Sequence, residues 1–307
     1  MKEFEKVIPG HILSKVYALG NIDKLQEIRL RIKQPIIVNI DNKEILLNYI
    51  INELDIKNIL QRMSNYSLYA FEEEFKQGYI TIKGGHRVGL SGECVVENCS
   101  VKTIKNIYSL NVRVARQIKG CGKKVMPYII SKDKVFNTIL ISPPKCGKTT
   151  LIRDIARMLS NGAPEFNLTG KKVSIIDERS EIAASFQGIP QMDIGIRSDV
   201  YDNCIKSEGI FMAIRSLSPD VIVCDEIGSQ KEIEAMLSAY NSGVNLITTI
   251  HGNGIEDLEK RNIFKDLLEN KILGRVIVLG NSKGIGSIEK IYDIVNERIE
   301  IIWNIFF

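Results

Sequence analysis

Short apolar runs alternate with helical stretches from residue 135 to the end of the chain. The runs are VFNTILI, KVSIID, DVIVCD, NLITTI and RVIVLG, which begin at residues 135, 172, 220, 245 and 275. Strands that are apolar throughout and rich in β-branched residues are typical of a sheet covered by helices on both faces. The pattern predicts a mostly parallel sheet wrapped by helices. The tail segments IEKIYDIV and RIEIIWNIFF predict closing strands.

The first part of the chain has a different pattern. Residues 27–40 alternate apolar with charged side chains, the period of a half-buried strand, and Pro35 is expected to interrupt it. Residues 52–63 and 67–76 have the spacing of helices. After them the chain turns into the short strands YITI, HRVGLSG and ECVVE. This part is therefore predicted to be a smaller α+β domain with an antiparallel sheet.

The segment KGCGKK, residues 119–124, separates the two patterns. Its glycines loosen the backbone and its lysines favour solvent, so it has the composition of a linker or a surface turn. We predict an N-terminal α+β domain at 1–122 and an α/β domain at 123–307.

Composition limits the class of protein without naming a partner. With 307 residues, 44% of them hydrophobic and 25% charged, the chain has the size of about two globular domains. The formal charge of +4 gives no sign of the concentrated basic field of nucleic-acid binding, so no nucleic acid is expected as a partner. Six scattered cysteines, no CxxC pair and no apolar run long enough to cross a bilayer predict a cytoplasmic protein without a transmembrane span.

A phosphate-binding loop is predicted between the apolar run that ends at Ile141 and the next helical stretch. The loop reads SPPKCGKTT and consists of Ser142, Pro143, Pro144, Lys145, Cys146, Gly147, Lys148, Thr149 and Thr150. Its GKT core matches the P-loop, in which backbone N–H groups bind phosphates, the lysine reaches the β and γ groups and the hydroxyl ligates Mg²⁺. Ser142 stands where the pattern has glycine, which we interpret as a tolerated variant, with Lys145 as an additional cation.

Acidic residues at strand ends supply the groups that hydrolysis of ATP requires. Asp225 ends the run VIVC and is predicted to hold Mg²⁺, and Glu226 follows it as the predicted catalytic base. Asp177 and Glu178 end the preceding run. Since the ends of parallel strands face one crevice, they either face the γ-phosphate and its metal or form a solvated turn.

His251 ends the run NLITTI and is a candidate γ-phosphate sensor, because an imidazole both donates and accepts hydrogen bonds. The alternative is a structural histidine.

The order of the P-loop, SIIDERSE, VIVCDEIG and TTIHGNG resembles the secretion-ATPase superfamily, with its Asp box on Asp177 and Glu178 and its His box on His251. The strings SLYAFEEEFKQGYITIKGGHRVGLSGE, SLNVRVAR and SEGIFMAIRSLSPDVIVCDEIG are similar, more specifically, to the stage III sporulation protein AA family.

The resemblance covers nearly the whole chain and implies a RecA-like P-loop ATPase domain of the α/β class after the smaller domain. It implies a homo-hexamer that uses ATP and Mg²⁺, lies in the cytoplasm peripherally at the membrane, and energises or assembles a channel between mother cell and forespore. Integral membrane components of that sporulation channel are the implied partners. Arg113 and Arg116 are the implied contacts to the γ-phosphate, and Arg215 the implied contact to a neighbouring subunit's nucleotide.

Other interpretations stay open at the level of sequence. Arg113 equally fits the polar face of an alternating strand. A nucleic-acid-stimulated P-loop motor shares the core motifs, and a non-hydrolysing scaffold that uses nucleotide only to assemble would explain Ser142. A small-molecule kinase is disfavoured, because no lid segment follows the motifs. The tail RIEIIWNIFF either forms a last strand or docks on a membrane or partner.

Overall fold

The computed structural model describes residues 3–63, 76–270, 272–295 and 298–304. The chain forms two compact units. One consists of Met1–Arg116 with Ala184–Gln191, and the other of Gln117–Ala183 with Met192–Phe307. The predicted domains 1–122 and 123–307 stay a prediction, because compactness alone does not show that a segment folds independently.

The first unit is an antiparallel sheet with helices packed on one face. Its strands are β1 (Leu25–Arg31), β2 (Pro35–Ile40), β3 (Lys43–Ile50), β4 (Tyr79–Ile82), β5 (His86–Glu97) and β6 (Ser100–Arg113), in the order β3-β2-β1-β6-β5-β4. Helices α1 (Gly10–Tyr17) and α2 (Glu53–Met63) cover it, and short 3₁₀ turns occur at Glu3–Lys6 and Ile22–Lys24. Ile12 and Ile59 from the helices share a core with Ile28 and Val112 of the sheet.

The α+β prediction for this part of the chain is confirmed, with one difference in detail. Residues 27–40 form parts of two antiparallel strands rather than one interrupted strand, because the chain turns at Lys33, whose φ is +62°. Pro35 is the first residue of β2, a position where a missing N–H is tolerated. The helix predicted at 52–63 is α2. The helix predicted at 67–76 lies almost wholly outside the described residues.

The second unit contains the α/β part of the fold. Its strands are β7 (Ile130–Ser131), β8 (Lys134–Val135), β9 (Thr138–Ser142), β10 (Val173–Asp177), β11 (Ser198–Asp202), β12 (Val221–Cys224), β13 (Asn245–His251), β14 (Arg275–Gly280), β15 (Ser287–Val295) and β16 (Arg298–Asn304). Its helices are α3 (Met126–Ile129), α4 (Lys148–Asn161), α5 (Lys206–Ser216), α6 (Gln230–Asn241), α7 (Glu256–Glu259) and α8 (Lys265–Glu269). Further 3₁₀ turns are Cys121–Lys124, Pro164–Phe166 and Asn262–Phe264.

Eight of these strands form one sheet in the order β11-β10-β12-β13-β9-β14-β15-β16, while β7 and β8 pair separately. The strands from β11 to β14 are parallel, and β15 and β16 add antiparallel pairs at one edge. The predicted mostly parallel sheet and closing strands are confirmed, apart from residues 305–307, which lie outside the described residues. β11 was not predicted, because its sequence SDVYD is too polar to stand out.

The apolar runs explain why this sheet is buried on both faces. Every residue of β9 and β10 is buried, and alternate residues belong to different cores. Leu140 and Ile175 pack on one face with helix α4, and Ile141 and Ile176 pack on the other with helix α6. A strand with two apolar faces is stable only between two layers, so the sequence pattern and the layered architecture agree.

The segment 119–124 is more than a surface turn. Gly122 is buried, and its N–H donates to Asp154 Oδ2 of helix α4 at 2.7 Å. A Cβ at this position would lie 3.2 Å from the same oxygen, so glycine allows the close approach. In the part of the chain that the structure describes, no helix combines the length and apolar character needed to cross a bilayer.

Helix α6 carries a capping box that provides a test of local stability. Ser229 Oγ accepts the N–H of Glu232, while Glu232 Oε2 accepts the N–H groups of Gly228 and Ser229 at 2.8 Å. We predict that Ser229→Ala lowers the free energy of unfolding by about 1 kcal/mol, because one donor at the helix start loses its acceptor. Urea unfolding measures the change, with Lys231→Ala, on an exposed position of the same helix, as the control. Equal stability of the two variants would contradict the prediction.

Candidate functional site

The parallel register brings the ends of four strands to one edge of the sheet. Ser142 at the end of β9 pairs with His251 at the end of β13. Cys224 at the end of β12 pairs with Thr248 of β13 on one side and Ile176 of β10 on the other. The residues that follow these strands therefore lie close together, as the sequence predicts.

The loop at 142–150 connects β9 to helix α4 with two residues in the left-handed backbone region. Lys145 has φ +64° and Gly147 has φ +77°, and helix α4 begins directly after Gly147. Cys146 is buried, Lys145 and Pro144 are exposed, and Pro143, Thr149 and Thr150 are half-buried. Such a loop turns successive N–H groups toward one point ahead of a helix N-terminus, which favours an anion.

Ser142, the residue in place of the expected glycine, is fully buried. Its hydroxyl donates to the carbonyl of Pro143 at 2.9 Å. Its carbonyl accepts from the backbone N–H of Gly252 and from Lys148 Nζ, both at 3.2 Å. The hydroxyl is thus satisfied within the loop, and the substitution is compatible with the loop conformation.

Lys148 is buried beside the loop, and its ammonium group is held by hydrogen bonds. Nζ donates to the carbonyl of Ser142 and lies 2.7 Å from His251 Nδ1. Burial lowers the pKa of Lys148, and the charges of Glu226 and Asp225 oppose that effect. The site therefore holds a cation that can exchange its present acceptors for an anionic ligand.

His251 links Lys148 to Glu226. His251 Nε2 lies 2.8 Å from Glu226 Oε1, on the opposite side of the ring from Lys148. An ammonium group only donates hydrogen bonds, so Nδ1 accepts from Lys148 and the ring proton is on Nε2, which donates to Glu226. Arg179 Nη1 lies 3.6 Å from the other carboxylate oxygen of Glu226. We call Lys148, His251 and Glu226 the cation–carboxylate relay.

The backbone of Glu226 has a strained conformation that places its side chain beside His251. Its φ is +43°, a conformation that costs a non-glycine residue on the order of 1 to 3 kcal/mol. The N–H of Glu226 donates to Thr249 Oγ1 and the N–H of Ile227 donates to the carbonyl of Thr249, both at 2.9 Å. These bonds to β13 hold the turn after β12 and place Glu226 beside His251.

Asp225 and Asp177 are buried carboxyl groups at the same edge. Burial and, to a smaller extent, the nearby charge of Asp177 raise the pKa of Asp225 to about 7, against the opposing charge of Lys206. Asp177 is fully buried, and its two oxygens accept the N–H groups of Glu181 and Ala183, each at 2.8 Å. Burial raises the pKa of Asp177 against the effect of these hydrogen bonds.

Arg153 of helix α4 supports the loop that holds Asp177. Its buried guanidinium donates to the carbonyl of Ile182 and, at 2.6 Å, to the carbonyl of Glu181. Burial lowers the pKa of Arg153, and the charge of Asp177 opposes that effect. Sequence reasoning missed this arginine, because inside a helical stretch it resembles any solvent-facing base.

Lys206 is a second buried cation that sequence reasoning missed. Its Nζ donates to Glu178 Oε2 at 2.5 Å and lies 3.6 Å from Glu232 Oε1. Burial lowers the pKa of Lys206, but the hydrogen bond and the charges of Glu178 and Glu232 outweigh burial, so the net pKa is raised. Lys206 is the first residue of helix α5, where the helix dipole disfavours a cation. A lysine at this unfavourable position is the signal in the sequence that could have indicated acidic partners nearby.

The three predicted arginines lie in different places. Arg215 is exposed in the last turn of helix α5, with its guanidinium 6.0 Å from the centre of the Phe211 ring. In the first unit, Arg113 is the exposed last residue of β6, and Arg116 donates to the carbonyl of Leu25 at 2.6 Å. Their predicted contacts with nucleotide stay predictions.

The oxygen donors at the site fit Mg²⁺. Thr149 offers a hydroxyl and Asp225 a carboxylate, the hard ligands that Mg²⁺ prefers. Among the residues that the structure describes, no three His, Cys, Asp or Glu side chains are arranged to hold a metal by themselves. One hydroxyl and one carboxylate are ligands of the kind that Mg²⁺ accepts when its other oxygen ligands come from elsewhere.

The fold is the RecA-like α/β fold of solved secretion and pilus ATPases. The ATPase DotB from Legionella pneumophila aligns with a TM-score of 0.61 at 16% identity, over 96% of this chain and 80% of that chain. The pilus retraction motor PilT with bound ADP aligns with a TM-score of 0.61 at 18% identity, over 100% of this chain and 84% of that chain.

The chain belongs to the family described as "Sporulation stage III, protein AA", whose model matches residues 7–299. It is 43% identical over 298 residues to stage III sporulation protein AA from Bacillus subtilis (strain 168), over 95% of both chains. The expected sporulation family is thereby confirmed.

The raised pKa of Asp225 predicts a pH-dependent stability. The folded protein keeps this proton up to about pH 7, whereas an unfolded aspartate loses it near pH 4. Between these values the folded state binds more protons, so the wild type loses stability as pH rises. We predict that Asp225→Asn, which cannot ionise, gains stability relative to the wild type across this window, by up to about 4 kcal/mol at pH 8.

Urea unfolding of both proteins at pH 4.5 and pH 8, without Mg²⁺ or nucleotide, measures the difference. Asp199→Asn, at an exposed position of β11, serves as the control and should show no such trend. A difference between Asp225→Asn and the wild type that is the same at both pH values would show that Asp225 ionises normally.

Proposed function

We propose that the protein is an ATPase that converts ATP and water to ADP and phosphate at the loop 142–150. The relay of Lys148, His251 and Glu226 is the observation that carries the proposal. In this relay, Lys148, a cation that can bind phosphate, lies on one side of the His251 ring. Glu226, a carboxylate that can orient a water molecule and accept its proton, lies on the other side. A merely structural lysine would not need a loop with this backbone ahead of a helix.

The phosphates bind to the loop and to Lys148. The N–H groups at the start of helix α4 point to the anion, and the 14 residues of that helix add the positive end of its dipole. Lys148 Nζ leaves the carbonyl of Ser142 and His251 Nδ1 for phosphate oxygens, because a charged acceptor is the stronger partner of an ammonium group. Thr149 and Asp225 would hold Mg²⁺, which would supply further neutralisation of phosphate charge when bound.

Glu226 positions the attacking water and accepts its proton. Its strained backbone and its contact with His251 hold the carboxylate in place before water binds. His251 senses the γ-phosphate, because phosphate takes Lys148 away from Nδ1 and leaves that nitrogen free for a new partner. Glu178 and Asp177 add two further acidic side chains at the same edge of the sheet, and Lys206 holds Glu178 in place by a hydrogen bond.

Family membership supports the wider role. From its membership of the sporulation family, we further infer that the protein acts as a homo-hexameric ring of the secretion type, in the cytoplasm and peripherally at the membrane. In this proposal it energises or assembles a channel between mother cell and forespore with integral membrane partners. Arg215 is exposed on helix α5 and is available to a neighbouring subunit's nucleotide.

Replacing the proposed base tests the reaction. We predict that Glu226→Gln binds ATP with an affinity within about threefold of the wild type but hydrolyses it at least about 100-fold more slowly, because an amide cannot accept the proton. Phosphate release measures turnover, and calorimetric titration with a non-hydrolysable ATP analogue measures binding.

Glu234→Gln, on the exposed face of helix α6, is the matched control and keeps the wild-type rate. Wild-type turnover in Glu226→Gln would remove Glu226 from the role of base. A wild-type protein that binds ATP without releasing phosphate would instead favour a scaffold. Stimulation of turnover by single-stranded DNA would favour a nucleic-acid motor.

The mass of the protein in solution tests whether it assembles into the proposed hexameric ring. We predict that the protein shifts to a hexamer when a non-hydrolysable ATP analogue and Mg²⁺ are added, because the exposed Arg215 then gains a phosphate partner in the next subunit. Light scattering after gel filtration measures the mass, and Arg215→Ala should weaken assembly while leaving the affinity for nucleotide at low protein concentration unchanged. A monomer under both conditions would contradict assembly of the ring without a partner.

A further inference from the structure

The loop between β14 and β15, residues 281–286, lies directly against the phosphate-binding loop. A Cβ on Gly147 would be 3.4 Å from Ile285 Cγ2, and a Cβ on Gly286 would be 3.4 Å from the carbonyl oxygen of Cys146. Lys124 Nζ donates to the carbonyl of Gly286 at 2.5 Å and anchors the loop from the other side. The two loops are therefore in van der Waals contact within the second unit.

A cavity of about 360 Å³ opens beside this contact. Its walls include Lys124, Tyr128, Lys283, Ile285, Ile288 and Trp303. Tyr128 and Trp303 are half-buried and pack on the core beneath the sheet. The cavity is within the size range of small-molecule sites, and its combination of aromatic walls with a few cationic groups is typical of such sites.

The order of the strands decides which part of a nucleotide reaches this cavity. β9 lies between β13 and β14. The groups assigned to the γ-phosphate, His251 and Glu226, lie on the side of β13 and β12. A nucleotide whose terminal phosphate points to that side extends its α-phosphate, ribose and base to the other side. The other side is formed by β14 and the loop 281–286.

We propose that this cavity binds the base and ribose of the nucleotide, with the purine ring against Trp303 and Tyr128. Lys124 and Lys283, which also line the cavity, are the cationic groups available to the ribose and the α-phosphate. The inference rests on the proposed function, because it requires the phosphates to occupy the loop 142–150. Stacking of a base on an aromatic side chain contributes about 1 to 3 kcal/mol.

Trp303 is the only tryptophan in the chain, so its fluorescence reports directly on the cavity. ADP, which carries a base, is compared with inorganic tripolyphosphate, which binds through phosphates alone. ADP is expected to change the emission of Trp303, and tripolyphosphate is expected to leave it unchanged. Trp303→Ala is expected to weaken ADP binding at least about tenfold by calorimetry while leaving the affinity for tripolyphosphate within about twofold.

Trp303→Phe is the matched control, because phenylalanine keeps an aromatic face, and its affinity for ADP stays within about threefold of the wild type. Unchanged tripolyphosphate binding by Trp303→Ala shows that the variant is folded; should that variant not fold, the wild-type emission with the two probes decides. Binding of ADP without a change in emission, or equal ADP affinity in Trp303→Ala, would overturn the base site while the phosphate site stands. A wild type that binds neither probe would overturn the proposed function as well.

Discussion

The buried ammonium group of Lys148 is the interaction on which the arrangement of the site depends. A cation removed from water needs acceptors, and here the carbonyl of Ser142 and the ring of His251 supply them. Those acceptors come from the ends of two neighbouring parallel strands, so the hydrogen bonds form only in the native register. Through His251 the same group also orients Glu226. One charge thus links the loop at 142–150, the histidine and the predicted base.

Charge balance around that lysine extends over a second set of buried groups. Asp225 and Asp177 are both placed where burial raises their pKa values, and Lys206 partly offsets the cost for Asp225. Arg153 holds the backbone segment whose N–H groups bind Asp177. Ionising carboxyl groups at such depth is costly, and two of them so close together support the proposed site for a cationic or metal-bound ligand.

The order of the strands places the cavity with aromatic walls on the opposite side of the loop at 142–150 from His251 and Glu226. Strand β9 lies between β13, which carries the histidine, and β14, whose following loop contacts Gly147. A ligand anchored at its phosphates is therefore flanked by polar, charged groups on one side. On the other side it meets a cavity with aromatic walls. This asymmetry matches the asymmetry of a nucleotide, whose charge is concentrated at one end and whose flat apolar ring is at the other.

The sequence by itself determined the layered α/β fold, the loop at 142–150 and the strand-end positions of Asp225, Glu226 and His251, because apolar runs and local motifs act within a few residues of chain. It did not reveal Lys206, Arg153 or the proximity of Trp303 to the loop at 281–286. Those depend on contacts between segments far apart in sequence, which only the packing of helices on the sheet creates. The tertiary structure likewise decided that Pro35 begins a strand, since the turn at Lys33 is favoured by pairing with neighbouring strands rather than by local pattern.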